Sequence, residues 1–253
     1  MRRVLVTSVG TLLVAAGLVV VGPGLTGPAA AAPTTQGLVL YYSFNADTGT
    51  TAVDSSVNRI NGTYVNTTAS AARSSGPAGK SFAARFVGTS QQYVSVPERN
   101  ALDVDRFTLA AYVNYTGVQN PQTGGRWEVF EKANAYWINI RTDGHVRVGG
   151  FFGGCLSRNW QYLDSTTTIP TNTWVHLAAT YNGSTLTVWV NGQRAGSRSI
   201  VGTHTCVNNR RLAVAAKNDP DQGLLEAFMD GRLDEIRIYN RVLSGTEIRG
   251  LMG

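Results

Sequence analysis

The sequence predicts an all-β fold, an antiparallel sandwich of two packed sheets, and three observations carry the prediction. First, residues 173–193, TWVHLAATYNGSTLTVWVNGQ, alternate with period two on either side of Asn182-Gly183 and end on Asn191-Gly192. Such alternation in β-branched and aromatic residues marks strands, and Asn-Gly supplies the positive φ angles of a tight hairpin turn. Second, about a dozen short runs of this kind follow one another, separated by Gly- and Asn-rich turns with no repeat of fixed period. Third, the period changes only at residues 243–248, where Ser244 followed by Glu247 forms a capping box and starts a short helical turn.

The strands fall in order along the chain. Residues 37–45 form the first, with Leu38, Leu40, Tyr42 and Phe44 on one face; 47–62 is an Asp-, Asn- and Ser-rich loop; 63–79 is small, polar and irregular. Residues 81–87, 92–96 and 107–115 are strands. A polar loop, 117–125, leads to strands at 126–132, 136–141 and 145–148, the last two joined by Asp143-Gly144. The glycine-rich stretch 149–159 reads as loop or distorted edge, and 160–163 as a short strand. After the central hairpin come a loop at 197–211, a strand at 212–216, a turn at 219–223 and a closing strand within 228–239.

The chain has 253 residues, and its first part is set apart. Arg2 and Arg3 precede an apolar run over 4–21, and small residues lead to Ala29-Ala30-Ala31. Residues 1–31 read as a secretory signal peptide cleaved near Ala31, which leaves a single domain over 32–253 in a secreted protein. The run, broken by Thr7, Ser8 and Thr11, is marginal for a membrane span, and no later stretch is apolar enough to be one. Arg2 and Arg3 belong to the leader, so 20 of the 22 basic residues face 16 acidic ones and the net charge falls from +6 to +4. The basic residues are scattered and form no Lys/Arg block with interleaved aromatics, which argues against nucleic acid as a partner. Cys155 and Cys206, the two cysteines, would form one disulfide in an exported chain.

In sequence order the chain carries FTLAAYV at 107–113, WVHLAATY at 174–181, LTVWVNG at 186–192 and GRLDEIRIYNR at 231–241 followed by Leu243-Ser244. These residues resemble the LamG-like jelly-roll family of the concanavalin A-like lectin/glucanase superfamily. The loop DSSVNRINGT at 54–63 resembles that family's N-terminal element, while Asn191 stands where the family often has Asp. The resemblance covers nearly all of 32–253. It implies a jelly roll of two curved sheets, a frequent disulfide, a frequent structural calcium, and exported proteins that often contact glycans.

Three constellations could carry chemistry. Asp234 shares parity with Ile236 and Ile238, which puts a carboxylate on an apolar face where it needs a partner. Calcium takes six to eight oxygen ligands, and the resemblance implies that the early loop and the closing strand meet at one, with Asp54, Asn58 and Asp234 as ligands. The alternative is an ion pair of Asp234 with an arginine such as Arg241, with Asp54 capping a turn. The second constellation is a glycan surface. Trp127, Tyr136, Trp137, Trp160 and Tyr162 cluster in one third of the chain beside Arg141, His145 and Arg147. Aromatic faces cover sugar C–H faces while polar groups take the hydroxyls; Trp137, Arg141, His145, Arg147 and Trp160 are the candidate contacts, and several of the other aromatics would be core. The third is a catalytic carboxylate pair, which a glycosidase needs on one face. Strict alternation points Glu128 and Glu131 to opposite faces and leaves no such pair.

The expectation is therefore an exported, non-catalytic module binding a polysaccharide or another glycoconjugate. A polysaccharide-degrading enzyme on the same fold and a protein-binding adhesion or structural domain are the alternatives. If Cys155 and Cys206 are bonded, full reduction removes about 4 kcal/mol of loop-closure stabilisation and lowers the Tm by several degrees; an unchanged Tm after complete reduction would show that no such bond exists.

Overall fold

The computed structural model describes residues 33–118, 125–154, 159–202, 208–219 and 224–253. The segment 1–31 read as a leader, and Cys155 and Cys206 of the expected disulfide, lie outside the described residues. In chain order the elements begin with β1 (Leu38–Tyr42), β2 (Thr51–Ala52), β3 (Gly62–Val65), α1 (Ala69–Ala72), β4 (Arg73–Ser75), β5 (Phe82–Phe86) and β6 (Tyr93–Val96). Then come β7 (Phe107–Tyr115), β8 (Arg126–Lys132), β9 (Tyr136–Arg141), β10 (His145–Phe151), β11 (Trp160–Thr168), β12 (Val175–Tyr181), β13 (Thr185–Val190) and β14 (Gln193–Ser199). The chain closes with β15 (Leu212–Val214), β16 (Lys217–Asp219), β17 (Leu224–Glu226), β18 (Gly231–Tyr239) and α2 (Gly245–Gly250).

Two antiparallel sheets result, as the sequence predicts. One runs β14-β13-β12-β7-β18-β5-β4, with β1 also paired to β18; the other runs β11-β10-β9-β8-β15-β6-β3-β2; β16 and β17 form a separate hairpin. The inner faces meet in one core. Leu109, Leu177, Val188, Ile236 and Ile238 of the first sheet join Phe130, Ile138, Val148 and Val214 of the second, all without solvent exposure. The opposite face of the first sheet is covered by α2, where Leu243, Ile248 and Leu251 pack on Ala110, Ala178 and Tyr239. The capping box forms as predicted: Ser244 Oγ accepts from Glu247 N, and Glu247 Oε2 accepts from Ser244 N at 2.8 Å.

The central hairpin forms, but with Tyr181 opposite Leu186 and Leu177 opposite Val190, so residues 182–185 make a wider connection than the tight two-residue turn expected at Asn182-Gly183. Its two Asn-Gly pairs act differently. Asn191 and Gly192 both have positive φ, +47° and +70°, as a tight two-residue turn requires. At Asn182-Gly183 only the glycine does; the Asn182 side chain accepts from Ser184 N and Thr185 N at 3.0 and 2.8 Å and caps a wider loop. The irregular stretch 63–79 holds α1, begun by Thr68, and the short strands β3 and β4. The glycines at 149 and 150, expected in a loop, lie within β10, and β11 is longer than predicted because it pairs along β10 up to Thr168.

The two sheets end on β14 and β11, and side chains stitch these edges together. Arg198 Nη1 donates to Tyr162 O at 2.7 Å and Thr166 Oγ1 to Ala195 O at 2.9 Å. Asn159 Nδ2 and Gln161 Nε2 both donate to Val201 O, at 2.8 and 2.7 Å. Among the described residues no helix is long and apolar enough to cross a membrane. Ser244→Ala removes the cap of α2 and should cost about 1 kcal/mol, read as a lower urea midpoint with an unchanged slope; an unchanged midpoint would show that packing alone holds α2.

Candidate functional site

Across β8–β11 the side chains facing away from the core stand in register. One row is Glu128, Asn139, Arg147 and Asp164; the next is Glu131, Trp137, Gly149 and Tyr162; Phe151 pairs with Trp160 beyond them. Glu128 and Glu131 are three residues apart, yet they share this face. The register of β8 on β9 shifts between Glu128 and Phe130, and both Val129 and Phe130 are buried in the core. This extra residue resets the alternation, which corrects the expectation that the two glutamates point apart.

These rows border a cleft of about 450 Å³ whose lining includes Glu128, Glu131, Trp137, Asn139, Trp160 and Tyr162. Trp160 is 56% exposed, and its ring stacks on Tyr162 with centroids 5.6 Å apart and planes 17° from parallel. Arg147 also lies over Tyr162, its guanidinium 3.9 Å from the ring centre. It is held there by Asp164, whose oxygens accept from Nε at 2.6 Å and Nη2 at 2.8 Å. Trp137 crosses β10 at Gly149, where an added Cβ would come within 2.4 Å of the indole. The glycine is therefore what lets the tryptophan lie against the sheet.

The floor is polar and buried. Glu128 is 1% exposed; its Oε2 accepts from Asn139 Nδ2 at 3.3 Å, and Arg126 Nε stands 3.5 Å away. Burial above all, then the charge of Glu131, pushes the Glu128 carboxyl well above the usual carboxylate range. Arg126 and Lys217 both reach Glu226 Oε1, at 3.0 and 3.2 Å.

Of the predicted glycan contacts, Trp137, Arg147 and Trp160 line the cleft. Arg141 and His145 are not among its lining residues. Arg141 is bound to Asp143 and Asp164, and His145 Nδ1 is 2.7 Å from Ser165 O. Trp127 and Tyr136 are core, with Trp127 Nε1 donating to Val118 O and the Tyr136 hydroxyl to Leu102 O. His176 is structural. It is buried edge-on against Tyr112, and desolvation pushes its pKa down to about 3. Tyr162, Glu128, Glu131 and Asn139 were not among the predicted contacts; the signal for them is cross-strand register, which no single strand carries.

The residues proposed for calcium fit a cation unequally. Asp54 is fully buried and all its in-plane acceptor positions are filled. Oδ1 accepts from Tyr41 N and Ser56 N at 2.9 and 2.8 Å, and Oδ2 from Ser56 Oγ and Ile60 N, both at 2.7 Å. Asn58 turns its amide nitrogen to Val39 O at 2.8 Å. Asp54 thus fits the pinning of its loop to β1, and not a metal ion. Asp234 is different. Oδ1 accepts from Glu235 N, while Oδ2 is buried without a hydrogen-bonding partner. Burial above all, then the nearby Glu235, pushes its pKa up to about 7. Gly76 backs onto this oxygen: a Cβ there would stand 3.2 Å from Oδ2 and 3.4 Å from Phe82 O. Arg241, the alternative partner of Asp234, pairs with Glu247. Among the described residues no three His, Cys, Asp or Glu side chains gather as a metal cluster.

A family model described as Laminin_G_3, of the concanavalin A-like lectin/glucanases superfamily, matches residues 88–249. No curated protein matches the sequence. Among solved structures, the binding domain of Paraclostridial Mosquitocidal Protein 1 is 18% identical, with a TM-score of 0.64 over 86% of this chain and 52% of that one. Domain 4 of AbnA, a GH43 extracellular arabinanase from Geobacillus stearothermophilus in complex with arabinotriose, is 21% identical, with a TM-score of 0.60 over 85% of this chain and 98% of that one. A structure of botulinum neurotoxin type C, whose cell entry is described as dependent upon interaction with two ganglioside molecules, is 12% identical with a TM-score of 0.61; the match covers 85% of this chain and 50% of that one. This chain thus spans about half the length of the mosquitocidal and botulinum chains. At these identities the likeness is one of fold.

The raised Glu128 carboxyl sets a pH dependence of stability. The folded protein holds this proton to higher pH than the unfolded chain, so stability from this group is full below the unfolded pKa of about 4.3 and falls as pH rises towards the folded value. Glu128→Gln should flatten that part of the profile and raise the Tm on the alkaline side. Parallel Tm–pH curves for the two proteins would show that folding leaves the Glu128 carboxyl unshifted.

Proposed function

The chain belongs to the Laminin_G_3 family of the concanavalin A-like lectin/glucanases superfamily, and on that premise we propose that it is a non-catalytic module holding a polysaccharide or glycoconjugate in the cleft on β8–β11. The observation that carries this reading is the exposed, stacked Trp160–Tyr162 pair beside Trp137 and above a polar floor. Aromatic faces cover the apolar C–H side of a pyranose or furanose ring, and burying them gains the apolar transfer energy. Asn134, Asn139 and Arg147 along the same lining can exchange hydrogen bonds with ring hydroxyls. The neighbour solved with arabinotriose and the one whose cell entry depends on gangliosides support a glycan partner on this fold. Export through the 1–31 leader would place the module where such polymers occur.

Calcium is part of the proposal as a structural ion, with Asp234 Oδ2 as its protein carboxylate and backbone carbonyl oxygens completing the shell. Bound there, it would neutralise a buried, half-satisfied carboxylate and tie the closing strand to the segment around Gly76. A glycosidase is the second reading. What favours it is the register shift that brings Glu128 and Glu131 to one face of an aromatic-lined cleft, as a pair of acid and base or nucleophile requires.

Affinity electrophoresis through neutral and acidic polysaccharides tests the binding. Retardation by one glycan, weakened roughly tenfold in folded Trp160→Ala, is expected for loss of about 1.4 kcal/mol; full retardation of the variant would place the site elsewhere, and new reducing ends in the gel would establish hydrolysis. For calcium, the Tm should rise in millimolar calcium over EDTA in the natural chain and not in Asp234→Ala; an equal rise in both would move the ion away from Asp234.

A further inference from the structure

Resting on the glycan reading, we infer that Glu128 and Asn139 are the specificity-determining pair at the cleft floor, a donor and an acceptor that together read two adjacent hydroxyls of a neutral sugar. Both residues line the cleft, and they are 1% and 4% exposed. The bond from Asn139 Nδ2 to Glu128 Oε2 fixes which way each group points. It leaves Glu128 Oε1 and Asn139 Oδ1, and both of these oxygens are buried with no hydrogen-bonding partner. An unsatisfied buried polar atom costs about 1–3 kcal/mol. Two of them on paired strands, in the wall of one cleft, are a cost that a ligand can offset.

The charge state of Glu128 decides what kind of ligand. The groups facing it are Arg126 and Glu131 on β8, Asn139 on β9 and Lys217 on β16. Arg147, the next residue along the row, is committed to Asp164. Arg126 divides its guanidinium between Glu128 and Glu226, Lys217 also reaches Glu226, and Glu131 opposes the ionisation of Glu128. A neutral Glu128 offers an O–H beside the Asn139 carbonyl. One donor next to one acceptor matches a pair of sugar hydroxyls, each of which both donates and accepts. A uronate at the same place would meet the Glu131 carboxylate, so the class is a neutral glycan. Arg126 and Lys217 border the floor with long side chains that both reach Glu226 and keep part of their length in solvent. Their displacement admits the sugar to oxygens that lie beneath the surface.

The test uses soluble arabinan, galactan and mixed-linkage glucan, with polygalacturonate as the acidic member, in affinity electrophoresis across about pH 5 to 9. The natural chain should be retarded by a neutral glycan and lose retardation about tenfold as pH rises through the Glu128 pKa. Glu128→Gln should remove the pH dependence. Asn139→Ala should weaken retardation about tenfold at every pH. An infrared band of a protonated carboxyl at neutral pH, absent from Glu128→Gln, should report the neutral side chain without any ligand. Retardation that needs Trp160 yet is unchanged in Asn139→Ala, or a missing infrared band, overturns the pair while the cleft stands. Retardation by no neutral glycan, or one indifferent to Trp160→Ala, overturns the cleft and the pair together.

Discussion

The first sheet depends on β18 being hydrogen-bonded along both edges. One edge pairs with β7 from Gly231 to Tyr239; the other pairs with β5 over Gly231–Leu233 and with β1 over Ile236–Tyr239. The switch of partner on the second edge coincides with a register shift after Asp234, where Glu235 takes a left-handed φ of +53°. The polar groups of that bulge are held in turn. Glu235 accepts from the Tyr41 hydroxyl at 2.7 Å and pairs with Arg237, whose guanidinium covers the Tyr41 ring. Residues near the two ends of the domain are thus bonded to one another in the middle of a sheet. Pairings of such sequence separation require loop closure before any contact forms, so this fold belongs with the slow, non-local β topologies.

Much of this was legible from residue type and spacing. The period-two runs place nearly every long strand, and Ser244 with Glu247 places α2, because both signals act over a few residues. What was not legible depends on the partner strand. Glu128 and Glu131 read as opposed because alternation assumes a regular strand, and one extra residue reverses every assignment beyond it. Gly149 and Gly150 read as loop because glycine is a breaker; here an added Cβ would meet the indole at one and Ala135 O, 2.4 Å away, at the other. Asp54 carries the residue type of a calcium ligand, and only the placement of four donors around it shows that its lone pairs are already in use.

The candidate site shows how the fold can vary its surface without touching its core. Alternate residues of β8–β11 build the apolar interior, and those between them build the cleft. Ile138 and Val148 are wholly buried on one side while Trp137 and Arg147 face the other. Substitution on the outward rows changes chemistry at little cost to packing. The exception is the floor, where Glu128 and Asn139 are buried too and so couple recognition to stability.

The stitched seam between β11 and β14 has a consequence for association. The last strand of a sheet normally exposes a row of free backbone groups that can template another chain. Here carbonyls near that border, of Tyr162, Ala195 and Val201, already accept from Arg198, Thr166, Asn159 and Gln161. A neighbouring chain would have to displace these side chains to add a strand at the seam. The arrangement allows Trp160 to stand exposed next to a sheet border without turning that border into a nucleus for aggregation.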